Sequence, residues 1–97
     1  MISVYMVTKN EEHNIERAIS SVNGLGEVIV VDSGSTDNTV EIAMKCGAKV
    51  SHHDWQGMAQ QKEHAKNLCS NNWVLNLDAD EEVSPDLKSE ILNTIKR

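Results

Sequence analysis

Two aspartates separated by one residue, Asp78-Ala79-Asp80, close the apolar run WVLNLD. Carboxylates at i and i+2 on a turn leaving a strand can both face one divalent cation, one ligating directly and one through water or a ligand hydroxyl. A phosphate-bearing ligand near this acidic pair needs that cation, since it would otherwise meet only negative charge. The plainer alternative is that Asp78 caps its turn while Glu81 and Glu82 form a solvated face, and spacing by itself does not choose between them. Two other readings fail. An EF-hand loop needs glycine at its sixth position and glutamate at its twelfth, where this chain has Val83 and Ser89. Phosphotransferase chemistry on an aspartate pair would need the pair after the first strand, with a threonine following.

The stretch Asp32-Ser33-Gly34-Ser35-Thr36-Asp37-Asn38-Thr39 is richer. Ser35 or Thr36 reads as the cap of a helix with Asp37 in its first turn, and Gly34 as the residue of a tight turn or close approach. Capping leaves Asp32 unexplained, because an aspartate that ends the run VIVVD needs a partner for its carboxylate. A base or ribose N–H or O–H is a suitable donor. Thr8, Asn10 and Glu11 follow another apolar run, with Asn10 read as the cap of the first helix. Lys62 reads by itself as a solvated lysine, yet it is the one cation near these acids and suits a diphosphate. His52 and His53, adjacent on a strand, point to opposite faces and read as surface residues. His13 and His64 lack partner histidines and read as solvent-facing, and Cys46 and Cys69 as small packing residues.

Positioning these groups falls to eight elements. Apolar, β-branched runs at residues 2–8, 27–32, 48–52 and 73–78 alternate with helical patterns. Ile15, Ala18, Ile19 and Val22 lie at i, i+3, i+4 and i+7, as do Val40, Ala43, Met44 and Gly47. Met58, Ala65, Leu68 and Cys69 form a less regular third stripe. Ser84-Pro85 is an N-cap followed by proline at the first helical position, ahead of Leu87, Ile91 and Ile95. Strand and helix alternating four times predict an α/β domain, an open parallel sheet with right-handed crossovers. Ligands of such sheets sit beyond the carboxyl ends of the strands, so all the clusters named above belong to one rim.

The chain of 97 residues reads as one domain, 39% hydrophobic, with only Tyr5, Trp55 and Trp73 as aromatics. No apolar run approaches the ~20 residues of a membrane span. The net charge of −6 argues against a nucleic-acid partner, whose phosphates call for a basic surface. Two cysteines without C-x-x-C spacing suggest reduced thiols, and the start MISVYMVTKNEE has no signal-peptide pattern, so the expected compartment is the cytoplasm. Phosphate loops are lacking: Gly24-Leu25-Gly26 has no third glycine, no G-x-x-x-x-G-K-[ST] occurs, and Glu11-Glu12 at the first helix would repel an anion.

Taken in order, VTKNEEHNIERAISSV, VIVVDSGSTDNTVEIA, HHDWQG-x-x-x-QK and WVLNLDADEEV resemble a family 2 glycosyltransferase of the GT-A fold. They look most like the bacterial glucosyltransferases that extend the lipopolysaccharide inner core. The resemblance implies a sheet ordered 3-2-1-4 between helices on both faces, with residues 1–97 as the nucleotide-sugar-binding half. It implies that Thr8, Asn10, Glu11, Asp32 and Ser33 border the nucleotide, Asp32 meeting the uracil. Lys62 would approach the diphosphate, Asp78 the ribose or metal-bound water, and Asp80 a Mg²⁺ or Mn²⁺. The donor would be a UDP-hexose and the acceptor a glycan or lipopolysaccharide. Where the family usually shows Asn after the lysine of the QK stretch, this chain has Glu63. The family's later half carries the acceptor groove and the carboxylate taken as general base, so the 97 residues by themselves are expected not to transfer sugar. Without that half the fourth strand is an exposed edge, which predicts self-association. The alternative is a non-catalytic nucleotide-binding or assembly module.

Overall fold

A computed structural model describes residues 1–95. Lys96 and Arg97, the end of the predicted domain, lie outside the described residues. Element order is β1 (Ile2–Thr8), α1 (Ile15–Ser21), β2 (Gly26–Asp32), α2 (Thr39–Lys45), β3 (Lys49–His52), α3 (Met58–Leu68), β4 (Val74–Asn76) and α4 (Pro85–Ile95). The four strands form one parallel sheet in the order β3-β2-β1-β4. Every predicted element exists, and the predicted strand order and fold class hold.

β1 pairs with β2 along its whole length, from Ile2 opposite Gly26 to Thr8 opposite Asp32, and Asp32 in turn lies opposite His52 of β3. Three strand tips therefore end level. This register depends on Gly26, whose φ is +154° and where a Cβ would stand 1.9 Å from the Ile2 carbonyl oxygen. β4 is shorter than predicted. Its ladder with β1 ends at Asn76 opposite Tyr5, one further bond runs from Leu77 N–H to the Tyr5 carbonyl oxygen, and the chain then turns.

The two faces of the sheet are covered unequally. α1, α2 and α4 close one face over Ile2, Val4, Met6 and Val30, joined by Leu77, Ala79 and Val83 from the segment after β4. Among the described residues the other face carries only α3, through Ala65 and the following Cys69 against Ile29, Val31 and Tyr5. The α1 stripe is buried as predicted. On α2 the stripe is rotated: Met44 is 62% exposed, while Thr39, Ile42, Ala43 and Cys46 face inward. On α3, Met58 and Leu68 are exposed and Gln61 with Ala65 form the buried line. Leu87 of α4 is likewise exposed, and Ile91, Leu92 and Ile95 pack instead. The Ser84 cap holds, its hydroxyl accepting from Leu87 N–H at 3.2 Å.

Candidate nucleotide and metal site

The rim begins with Asp32. It is buried, and its carboxylate is fully engaged: Thr8 Oγ1 donates to Oδ1 at 2.8 Å and Ser35 Oγ at 2.6 Å, while Oδ2 accepts from the N–H groups of Gly34 at 3.0 Å and Ser35 at 2.8 Å. Burial works against its charge, but these donors outweigh it and hold its pKa below the ordinary carboxylate range. Asp32 therefore needs no ligand to satisfy its carboxylate, contrary to the expectation from the sequence, since the protein supplies four donors. Gly34 makes this nest possible with a φ of +114°, a conformation that favours glycine. Ser33 is tied to the neighbouring strand, its N–H and Oγ both donating to the Thr8 carbonyl oxygen at 3.0 and 3.1 Å.

The loops after β1 and β2 are stitched together. Asn10 takes a left-handed φ of +54°, which asparagine tolerates, and its Oδ1 accepts from Thr36 N–H at 2.8 Å while its own N–H donates to Ser35 Oγ at 2.8 Å. Asn10 is thus a bridge between loops and not the cap of α1, which starts at Ile15 behind Asn14. Glu11 and Glu12 accordingly lie in the loop and not in the helix. Glu11 N–H donates to Thr39 Oγ1 at 2.8 Å, and Glu12 exchanges bonds with Asp37 and Asn38. α2 begins only at Thr39, so Ser35 and Thr36 do not cap it, and Asp37 precedes it, accepting from Thr39 N–H at 3.0 Å.

Across β1 lies the segment Leu77–Asp80. Leu77 and Ala79 are buried and Asp78 and Asp80 exposed, so the two aspartates alternate outward from the core. A reciprocal turn holds them: Glu81 N–H donates to the Asp78 carbonyl oxygen at 2.9 Å, and Asp78 N–H to Glu81 Oε1 at 3.0 Å. Among the described residues no hydrogen bond or ion pair occupies the side-chain carboxylates of Asp78 and Asp80. Parallel pairing puts Asp32 and Asp80 at the same end of the sheet. β2 and β4 are separated by two strand spacings, roughly 10 Å at about 4.8 Å each. A nucleoside diphosphate is long enough to bridge that gap.

Among the described residues no three His, Cys, Asp or Glu side chains are grouped to hold a metal. Asp78 and Asp80 instead offer two hard oxygen donors, which suits a cation that completes its shell with water and ligand phosphates. Lys62 lies half-buried in the second turn of α3, the helix that starts at this rim. A cavity of about 370 Å³ lies elsewhere, between α1 and the start of α4 around Arg17, Ser20, Glu82 and Lys88.

Two residues departed from their surface reading. His53 is half-buried on Gln61, and His64 has a partner after all, stacking on His53 with ring centroids 4.1 Å apart. His52 stays exposed against Asp54, and His13 is exposed. Gln61 is buried where the apolar stripe leaves a gap between Met58 and Ala65 at helical spacing, and a polar residue on a buried line is the available signal. Cys46 and Cys69 are free thiols; burial pushes both pKa values up, with help from Glu16 and Glu27 respectively, so neither is poised as a nucleophile.

A family model described as glycosyl transferase family 2 matches residues 3–97. The chain belongs to that family. The glycosyltransferase chain is 56% identical over 91 residues to a glycosyltransferase of Rickettsia conorii, covering 93% of this chain and 32% of the relative. It is 35% identical over 92 residues to the lipopolysaccharide core biosynthesis glycosyltransferase LpsC of Rhizobium meliloti, covering 90% and 34%. Among solved structures it matches S. aureus TarS with a TM-score of 0.84 at 26% identity, covering 98% of this chain and 32% of that one. It also matches glucosyl-3-phosphoglycerate synthase of Mycobacterium tuberculosis in complex with Mn²⁺, UDP and glucosyl-3-phosphoglycerate, with a TM-score of 0.74 at 30% identity, covering 84% and 35%. The chain spans about a third of the length of these curated relatives. No helix among the described residues is long and apolar enough to cross a membrane.

Proposed function

We propose that residues 1–97 form the nucleotide-sugar-binding portion of a metal-dependent glycosyltransferase that moves a hexose from UDP to a glycan or lipopolysaccharide-type acceptor. One observation carries this reading: a single sheet rim has a fully bonded aspartate nest on one side of β1 and an unbonded aspartate pair on the other. Family membership and a similar structure containing UDP and Mn²⁺ support the choice of ligand. The LpsC relative supports the acceptor class. A cytoplasmic location fits the two free thiols.

In this reading Thr8, Asn10, Glu11 and Ser33 border the nucleoside. Asp32, its carboxylate taken up by Thr8, Gly34 and Ser35, holds in shape the loop that receives the uracil. Asp78 and Asp80 hold a Mg²⁺ or Mn²⁺, which when bound offsets charge on the departing diphosphate. Lys62 adds a cation on the α3 side. Deprotonating the acceptor hydroxyl is left to residues that the longer relatives have beyond this span, so hexose transfer detected with these 97 residues would contradict the assignment.

Calorimetry tests donor binding directly. UDP should bind this chain with Mn²⁺ present, and either omitting the metal or introducing Asp80→Ala should cost at least roughly tenfold in affinity, the scale of one charge-assisted contact. Equal affinity with and without metal would refute the metal assignment, and absence of UDP binding would refute the donor site.

A further inference from the structure

Gln61 has no exposed surface, although it is the sequence neighbour of half-buried Lys62 on α3. Its side chain is spent entirely on His53. Gln61 Nε2 donates to the His53 carbonyl oxygen at 2.9 Å, and Gln61 Oε1 meets His53 Nδ1. A carbonyl oxygen can only accept, which fixes the amide orientation, so Nδ1 must carry the proton that it donates to Oε1. Neutral His53 is therefore the Nδ1–H tautomer. Its ring also stacks on His64, three residues beyond Gln61, with planes at 25°. On its other side, the His53 backbone N–H donates to the Asp32 carbonyl oxygen at 3.0 Å. One histidine thus joins the tip of β2 to the two α3 residues that flank Lys62.

We propose that His53, Gln61 and His64 form a clamp that positions Lys62 for the diphosphate of the nucleotide, an inference that rests on the donor-site reading above. The advantage of such a clamp is entropic. Lysine carries its charge on a flexible four-carbon stem, and a cation on a wandering helix end spends much of its attraction on being held. Among the described residues α3 is the sole helix on its face of the sheet, with Ala65 as its buried apolar contact and half-buried Cys69 just beyond its end. In its first turns Met58 is exposed and the buried side chain is Gln61, so the clamp is what anchors that end of the helix. A fully buried glutamine paired at both ends is a poor way to add hydrophobic stability but a good way to set a unique geometry.

Two measurements on the 97-residue chain test the clamp, one of them without nucleotide. Hydrogen exchange of the His53 amide, read by NMR, should speed roughly tenfold in Gln61→Leu and in the milder His64→Ala, the size of one lost interaction. The β1 and β2 amides should keep their rates. UDP and uridine are then titrated separately in the presence of Mn²⁺. Both variants should weaken UDP roughly tenfold, leave uridine unchanged, and add nothing further on a Lys62→Ala background. Unchanged His53 exchange in His64→Ala and Gln61→Leu overturns the clamp. Faster exchange with equal losses for UDP and uridine overturns the positioning role. An unaltered chain that binds neither nucleotide contradicts the donor site and with it the task of Lys62, while His53 exchange still decides whether the clamp exists.

Discussion

Asp32 and Glu27 stand near opposite ends of β2, and each gathers four donors. Those on Asp32 build the rim, as described. Those on Glu27 tie down the far end: the Ser3 hydroxyl, the N–H and hydroxyl of Ser70 at 2.6 Å each, and Lys49 Nζ at 3.0 Å. Together they lower the Glu27 pKa from 4.5 to about 2, the Ser3 hydroxyl contributing most. A carboxylate with a depressed folded pKa stabilises the fold fully above its unfolded value and loses that contribution as pH falls toward the folded one. The thermal midpoint should therefore drop between pH 4.5 and about 2, and Glu27→Gln should remove part of that slope. An identical slope in the variant would contradict the assignment. The sequence already marks Asp32 as a charge needing a partner, but the partner Thr8 is 24 residues away, and no local pattern carries that pairing. Asn10 misleads for a related reason: asparagine suits both an N-cap and a left-handed bridge, and only the neighbouring loop decides.

At the level of elements, the alternation of apolar, β-branched runs with helical spacing locates all eight segments, most clearly the central strands β1 and β2, whose burial on both faces reads as a continuous apolar stretch. Helix faces were harder to read. Methionine and leucine at helical spacing suggest burial, yet Met44, Met58, Leu68 and Leu87 are exposed, while Thr39 and Gln61 are buried because their polar atoms find partners. Two substitutions separate the faces. Met44→Lys should change stability by no more than about 0.5 kcal/mol in denaturant unfolding, as an exposed site does. Gly26→Ala should cost roughly 3 kcal/mol or more, since its Cβ would meet the Ile2 backbone and its φ is one that alanine disfavours. A costly Met44→Lys would restore the sequence-derived stripe.

For the whole molecule, the resemblance carries strand order and function class, which no composition argument reaches. Order β3-β2-β1-β4 leaves β4 on an edge, with its first residue Val74 39% exposed and the preceding Trp73 58% exposed. Unpaired edges with exposed apolar side chains pair with other chains. We therefore propose that this chain self-associates through β4: sedimentation should show a concentration-dependent dimer that Val74→Lys abolishes. A clean monomer at high concentration would refute it. The central claim concerns the other end of the sheet, and paramagnetic NMR addresses it most directly. With UDP present, substoichiometric Mn²⁺ should selectively broaden the amides of residues 78–81 and those at the tips of β1 and β2, and Asp80→Ala should abolish the effect. Broadening that ignores UDP and Asp80, or that falls on the amino-terminal ends of the strands, would contradict a nucleotide–metal site on this rim.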